Sequence, residues 1–556
     1  MLEISVEKFL ARWIAFGSTL VAIFIFSSPV TDPVNVTKLF ALGLVAFGAM
    51  AIVLLNVRAL YWREQKYLVF TALLFVFSMI QSITLSASPI IQNLYGDYGR
   101  NTGAIAYLLL LLLFISVTFL QKAESYALVV RALIVAGIIN LVYCAWVLMF
   151  GDFIGWSNPY GEILGTFGNP NFIGAFLGIY VTVAYASLVK PDQKMIWRII
   201  FGLSILVAGF EIHSSKAVQG VVVSLGGVAL VTFFLIRAIL KNRIISVAYV
   251  AFVFILGLFS ILGALQIGPL AKLVYKVSVS LRGEYWAAGI RMGRDHLFSG
   301  IGMDSYGDYY RQYRDAGAMI LPGPKVVSNA AHNVVIDFFA FGGLPLLISY
   351  LILLILSGLA AARLLARFKS FDFVSVSLIS IWACYQVQSI ISINQIGLAV
   401  WGWVSGGALI GYEKSTRAKN ENRKVSSKVV ISPLTISFVG AVIGGLVSVP
   451  PLAADMKWRS ALLAQRAELV EAALEPSYLN PLNTSRFITA VDLFERSGMF
   501  EKSHLYATKA IEFNPRSFDA WRALYLVKNS SAVDRKLAIS KMKELDPLNP
   551  DVTSVN

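Results

Sequence analysis

Cysteine, histidine and charge are all scarce in this 556-residue chain. Its two cysteines, Cys144 and Cys384, fall inside apolar runs, which excludes a disulfide framework and a thiolate metal site and leaves both as small buried core residues. Charged residues make up 14% of the sequence and hydrophobic ones 57%. The apolar residues are collected into repeated runs of roughly 17 to 25, the length that crosses a bilayer as helix. The fold class is therefore all-α, a polytopic transmembrane bundle. No small-residue cleavage site stands out after the first run, Trp13 to Ser28, and further runs follow directly, so it is expected to stay as the first membrane helix. Only four histidines are present. One of them, His332, stands where a polar loop turns into a long apolar run, in "SNAAHNVVIDFFAFGGLP" (328–345), and a proton-transferring side chain there needs a reason.

Acidic residues are outnumbered by basic ones, 32 to 47, for a net charge of +15. The excess gathers beside helix ends rather than along one soluble face, which argues against a nucleic-acid partner and for orientation in a membrane. Spans are predicted at 11–28, 37–57, 67–85, 103–121, 127–150, 171–189, 196–212, 217–238, 244–266, 343–363, 373–393, 395–412 and 429–449, about 12–13 in all. With a cytoplasmic N-terminus the inner loops hold most of the cations, from Arg58, Arg63 and Lys66 through Lys190 and Arg243 to Arg367 and the stretch "KSTRAKNENRKVSSK" (414–428). The short outer loops hold little besides Arg100 and Lys216. An odd number of spans then puts residues 452–556 on the outer face, together with the one long loop, 267–332. That loop carries Lys272, Lys276, Arg282, Arg291, Arg294, Arg311, Arg314 and Lys325. Long loops cross regardless of their charge, so the excess is either a solvated face or a site for an anion.

Residues 1–451 thus form a membrane domain, and 452–556 a second domain with an internal repeat. Pro481 and Pro515 are 34 residues apart, as are Phe487 and Trp521, and Pro547 follows after 32. The period, with Gly498 and Ala507 between the prolines, resembles the tetratricopeptide repeat, a helix-turn-helix unit. Two repeats are fewer than the three usually needed to stand alone, so a helix at 454–474 is expected to cap them, or the long loop to pack on them. Such a stack is a binding scaffold for a partner protein or a glycan.

The reactive groups lie at outer helix ends. Arg282 and Trp286 are four residues apart and share one face of an amphipathic helix. Gly300 and Gly302 permit a tight turn, and Tyr306, Tyr309 and Tyr310 supply flat surfaces for a sugar or a membrane interface. Nine residues separate His332 from Gly342–Gly343, so a short helix capped by Asn333 is expected at the membrane surface before Leu344 begins a full crossing. Neutral imidazole there can take a proton from a hydroxyl. Asn169 and Pro170 open span six with Asn171 beside them. Arg100 and Lys216 sit at helix N-termini, where the dipole adds to their charge, although snorkelling explains them equally well.

"GNPN" (168–171), "SSK" (214–216), the Arg282 to Trp286 pair, "GIGMDSY" (300–306) and "AHN" with "FGGL" across 331–344 occur in that order. In this combination the chain resembles the O-antigen ligase and O-antigen polymerase superfamily of bacterial envelope glycosyltransferases, over roughly residues 90–412. The resemblance implies transfer of a glycan from a polyprenyl-diphosphate donor to an acceptor hydroxyl on a lipid A core, a growing polysaccharide or a protein, at the outer face of the cytoplasmic (inner) membrane. It implies His332 as base, with Arg282 acting on the departing diphosphate. Arg100, Lys216 and Arg291 are then candidate phosphate ligands, and Asn169, Asn171, Trp286, Tyr306 and Asn333 candidate substrate contacts. It implies no metal and no cofactor, with Glu284, Asp295 and Asp304 as the acidic alternatives. One departure is Ser215-Lys216, where the family often has Ser-Arg; lysine keeps the charge and loses the bidentate fork. Direct displacement with no carboxylate nucleophile predicts inversion at the anomeric carbon. Two other readings stay open: a membrane transporter of small anions, and a non-catalytic scaffold presenting the repeats.

Overall fold

The computed structural model describes residues 2–54, 59–265, 267–268, 277–417 and 432–553. Arg58, Lys272, Lys276 and residues 418–428 of the basic stretch lie outside the described residues. Among the described residues there is no strand beyond an isolated bridge between Ser477 and Asn480. Every expected span is a helix: α1 (Leu2–Ile23), α2 (Asn35–Leu54), α3 (Ala59–Leu85), then, after the short α4 (Ile90–Tyr95), α5 (Ala104–Val117), α6 (Ala123–Phe150), α7 (Pro170–Leu188), α8 (Met195–Ser214), α9 (Val218–Leu240) and α10 (Arg243–Ala264). The long loop contributes α11 (Val277–Asp295), α12 (Tyr306–Tyr313) and α13 (Ala316–Ile320). The remaining membrane helices are α14 (Val334–Arg367), α15 (Phe373–Ile390), α16 (Ile396–Arg417) and α17 (Pro433–Ala464). Ten of these helices are long and apolar enough to cross a membrane, so the chain is a multi-pass membrane protein. α5 is apolar but has 14 residues. α1 and α16 complete the bundle, packing Ile14, Trp401 and Trp403 into its core.

Two boundaries differ from expectation for local reasons. α1 stops at Ile23 because the buried Lys38 ammonium donates to the carbonyls of Val21 (3.2 Å) and Ala22, which satisfies the end of the helix. α5 stops at Val117 because Thr118, Phe119 and Leu120 turn their N–H groups to carbonyls three residues back, at 3.0–3.2 Å.

The glycine pair breaks α14 where its sequence predicts. Gly342 (φ −134°, ψ 17°) and Gly343 (φ 63°, ψ −156°) separate a short first helix from the crossing. The backbone groups freed by the break are taken up by the "GIG" turn: Ile301 N–H donates to Ala340 C=O (2.9 Å), Gly302 N–H to Phe341 C=O (3.1 Å), and Leu344 N–H to Leu297 C=O (2.7 Å). The long loop is thereby stitched to the membrane helix that follows it. Gly343 occupies a conformation open essentially to glycine alone, and a Cβ there would meet the Leu297 carbonyl. Gly343→Ala is expected to cost at least about 1–3 kcal/mol from backbone strain, read as a lower unfolding temperature in detergent.

The tail begins differently from the expected separate cap at 454–474. α17 runs unbroken from the membrane through Pro450 and Pro451 to Ala464, Gln465 (φ 51°) ends it, and the short α18 (Ala467–Ala472) follows. Its membrane half lies against α2 through small residues, with Gly440 facing the Phe47 backbone and Gly444 the Gly43 backbone. Its C-terminal end enters the core of the tail with Trp458 and Ala461. Beyond it, α19 (Thr484–Arg496) pairs with α20 (Phe500–Phe513) and α21 (Phe518–Leu526) with α22 (Ala532–Leu545), ending at α23 (Pro550–Thr553). Phe487 and Trp521, one period apart, are both buried there.

Candidate functional site

His332 is held by its neighbours on both sides. The residue before it, Ala331, donates its N–H to the buried Asp337 carboxylate (2.8 Å). The residue after it, Asn333, caps α14 by accepting from Val335 N–H (3.0 Å) and Ile336 N–H (3.2 Å). His332 itself takes the left-handed conformation, φ 56°, which histidine tolerates better than most residues. Its ring stacks on Tyr285 of α11, centroids 5.5 Å apart at 29°, and makes no hydrogen bond to any described residue. Burial, then the positive charges of Arg282 and Arg100, lower its pKa to about 4. At neutral pH the imidazole is uncharged and has a free lone pair.

Arg282, half-buried on α11, is one of the two charges acting on that ring. Burial pulls its pKa down, and no carboxylate offsets the effect. A half-buried guanidinium without a counter-ion is costly unless an anion visits it. Trp286, one turn on, has its indole N–H buried with no acceptor among the described residues.

Arg100 reaches the same place from the loop before α5, but it is already engaged. It pairs with Asp304 at 2.8 Å, both side chains buried, and donates to the Asn329 carbonyl. Asp304, with φ 56°, also accepts from Asp97 N–H (2.9 Å) and from the Thr102 hydroxyl (3.1 Å). Burial raises its pKa, and Arg100 opposes that. Burial, followed by Asp304 and Asp308, pushes the neighbouring Asp97 up to about 7. Arg100 is thus a fixed cation in the wall of the site, with Asp304 as its counter-ion rather than a metal ligand. Asp304→Asn leaves that guanidinium buried and unpaired, a loss of about 3–5 kcal/mol, to be read from thermal unfolding of the detergent-solubilised protein.

Other expected contacts lie elsewhere. Arg291 joins α11 to the following turn, bonding the Tyr313 carbonyl (2.9 Å) and Asp315 (3.3 Å). Tyr306 is corrected from substrate contact to core: it is fully buried and its hydroxyl donates to the Tyr285 carbonyl (2.5 Å). Tyr309 and Tyr310 are buried with it in a cluster shared with α11 and α14, and Arg516 of the tail lies over Tyr309. Lys216 pairs with Glu162 at 2.5 Å between α8 and α9. Asn169 caps α7, accepting from Asn171 N–H (2.9 Å) and donating to the Tyr160 hydroxyl (3.0 Å). Asn171 is exposed and its carbonyl accepts from Gln219. No described contact joins these three to His332. The structure therefore brings His332, Arg282 and Arg100 together and leaves Lys216, Asn169 and Asn171 at a separate helix junction.

The sequence argument missed Asp337 and Tyr285. Asp337 carried a signal, since a carboxylate inside the apolar run "VVIDFFAF" is a functional flag by default.

Residues 203–351 match the family model described as O-Antigen ligase. The ligase-matched segment runs from within α8 to the kinked start of α14, and so contains Lys216, Arg282, Trp286 and His332. It supports the O-antigen ligase superfamily and, with it, glycan transfer in a membrane between lipid-linked and acceptor substrates. No curated protein matches the chain significantly.

Proposed function

We propose that this protein transfers a glycan from a polyprenyl-diphosphate donor to an acceptor hydroxyl at the extracytoplasmic surface of the bacterial inner membrane. The observation that carries the reading is the convergence, within the ligase-matched segment, of an imidazole without a hydrogen bond and a guanidinium without a counter-ion among the described residues. The acceptor oxygen attacks the anomeric carbon, its proton passes to the His332 ring, and the carbon–oxygen bond to the diphosphate breaks with both electrons leaving on the diphosphate. Arg282 stabilises the charge that accumulates there, with Arg100 behind it. Imidazole of low basicity suits the empty site. When the diphosphate enters, its negative charge favours the imidazolium and strengthens the base at the moment it is needed.

An in-line displacement inverts the anomeric configuration, and no metal takes part. Reconstitution with a polyprenyl-diphosphate glycan tests both points, NMR of the product linkage reporting configuration and a parallel reaction in EDTA reporting the metal. A retained centre or abolition by EDTA overturns the mechanism. The acceptor is a lipid A core, a polysaccharide chain or a protein. The 34-residue period and the two helix pairs support a tetratricopeptide-like tail, and its contacts with α12 support its lying on the same face as the loop. A transport function is disfavoured because the break in α14 is sealed by the "GIG" turn instead of lining an open path.

A further inference from the structure

Two of the loop cations expected to meet an anion meet the tail instead. Asp546, fully buried at the end of α22, accepts from Arg314 at 2.7 and 2.8 Å and from Arg311 at 3.1 Å. Around this pair, Arg311 lies over Phe518 (4.2 Å), Arg516 over Tyr309 (3.8 Å), and Asn514 donates to Asp308 (3.0 Å). A second attachment sits at the root of the tail. Asp455 of α17, also fully buried, accepts from the Tyr98 hydroxyl (2.9 Å) and from the N–H groups of Thr31 (2.7 Å) and Asp32 (2.8 Å), and pairs with Arg486 of α19 at 3.5 Å. One attachment therefore grips α12 and the other grips the 95–103 loop.

Both gripped segments lead to His332. From α12, Tyr306 bonds the Tyr285 backbone and Tyr310 packs edge-on against the Tyr285 ring (5.7 Å), and that ring carries the histidine. From the 95–103 loop, Arg100 bonds Asn329 and Asp304. We infer that the C-terminal helical domain is an intramolecular clamp on the candidate site, with Asp546 and Asp455 as its positioning residues. Buried ion pairs suit this task, since they fix geometry more than they add net stability. The tail's effect then reaches the reaction rate, beyond any choice of acceptor.

The inference rests on His332 marking the site, but its test has an arm independent of activity. In full-length protein in nanodiscs, Asp546→Ala is expected to raise amide exchange about tenfold or more over 306–313 and 328–333, while α19 to α21 stay protected. Turnover is expected to fall by about 10²-fold, as for a misplaced reacting group, with KM for the lipid-linked donor within about threefold. Asp546→Glu restores part of both. Arg516→Ala, which removes the contacts with Tyr309 and Gln312 but leaves both buried carboxylates in place, gives the same pattern at smaller size should Asp546→Ala fold poorly. Wild-type exchange over 306–313 and 328–333 in both Ala variants overturns the clamp, as does a rise in KM at unchanged turnover, which would make the tail a substrate-binding arm. A fully active His332→Asn variant would instead overturn the assignment of the base, and the exchange data would still decide whether the clamp exists.

Discussion

His332→Asn is expected to lower turnover by about 10²–10⁴-fold, the range that a positioned general base contributes, with little change in donor KM. Asparagine is the informative substitution because it tolerates the left-handed backbone at φ 56°, and because the histidine makes no hydrogen bond whose loss would unfold the loop. The pH dependence follows from the same environment. The ring's pKa is lowered to about 4, so the base-competent neutral form persists down to that pH and is lost below it. The profile of kcat/KM, which reports the free enzyme, should stay level from neutral pH down to about 5. A limb near 6.5, the value of an unperturbed histidine, would mean that the imidazole is not buried between two cations. A limb near 7 that disappears in Asp97→Asn would belong to that carboxyl.

Arg282→Ala is expected to reduce kcat by about 10²–10³-fold, the cost of removing one preorganised donor from developing negative charge. Arg282→Lys should recover only part of it, since an ammonium cannot offer the forked pair of donors. Stability should move the other way. Arg282 is half-buried without a carboxylate partner among the described residues, so the alanine variant should unfold at the same temperature or slightly higher, a trade seen where a site holds a strained charge for function. Single-turnover transfer assays and thermal unfolding, run on the same preparation, check both halves. Unchanged turnover would remove Arg282 from the mechanism, and a large fall in melting temperature would mark it as structural.

What was legible in the sequence was periodicity and local backbone chemistry. Apolar runs gave the helices, Asn169 and Asn333 announced their capping roles, and the Gly342–Gly343 pair gave the break in α14. What was not legible was long-range partnership. Arg311 and Arg314 read as free cations because the carboxylate that neutralises them, Asp546, is more than 230 positions away. Tyr306 read as a surface residue because nothing local says that α11 will pack over it. The division at 451/452 gave no sign that one helix runs across it; Pro450 and Pro451 each remove an intrahelical bond, and tertiary anchoring on α2 and in the tail core carries α17 through them. Asp337 stood out among apolar neighbours, but its partner emerges only when the chain before the helix folds back to donate to it.

α17 makes the orientation of the tail a matter of counting. Each helical residue advances 1.5 Å and turns about 100°, and Gly444, seated on α2, is eleven residues from Asp455, close to three whole turns. The two positions therefore fall on one side of the rod, so the seam with α2 also aims the carboxylate at Thr31, Asp32 and Tyr98. Between them the chain has no freedom to gain or lose a residue without swinging the repeats away from their target, whereas a residue exchanged for another of similar size would leave the bearing unchanged.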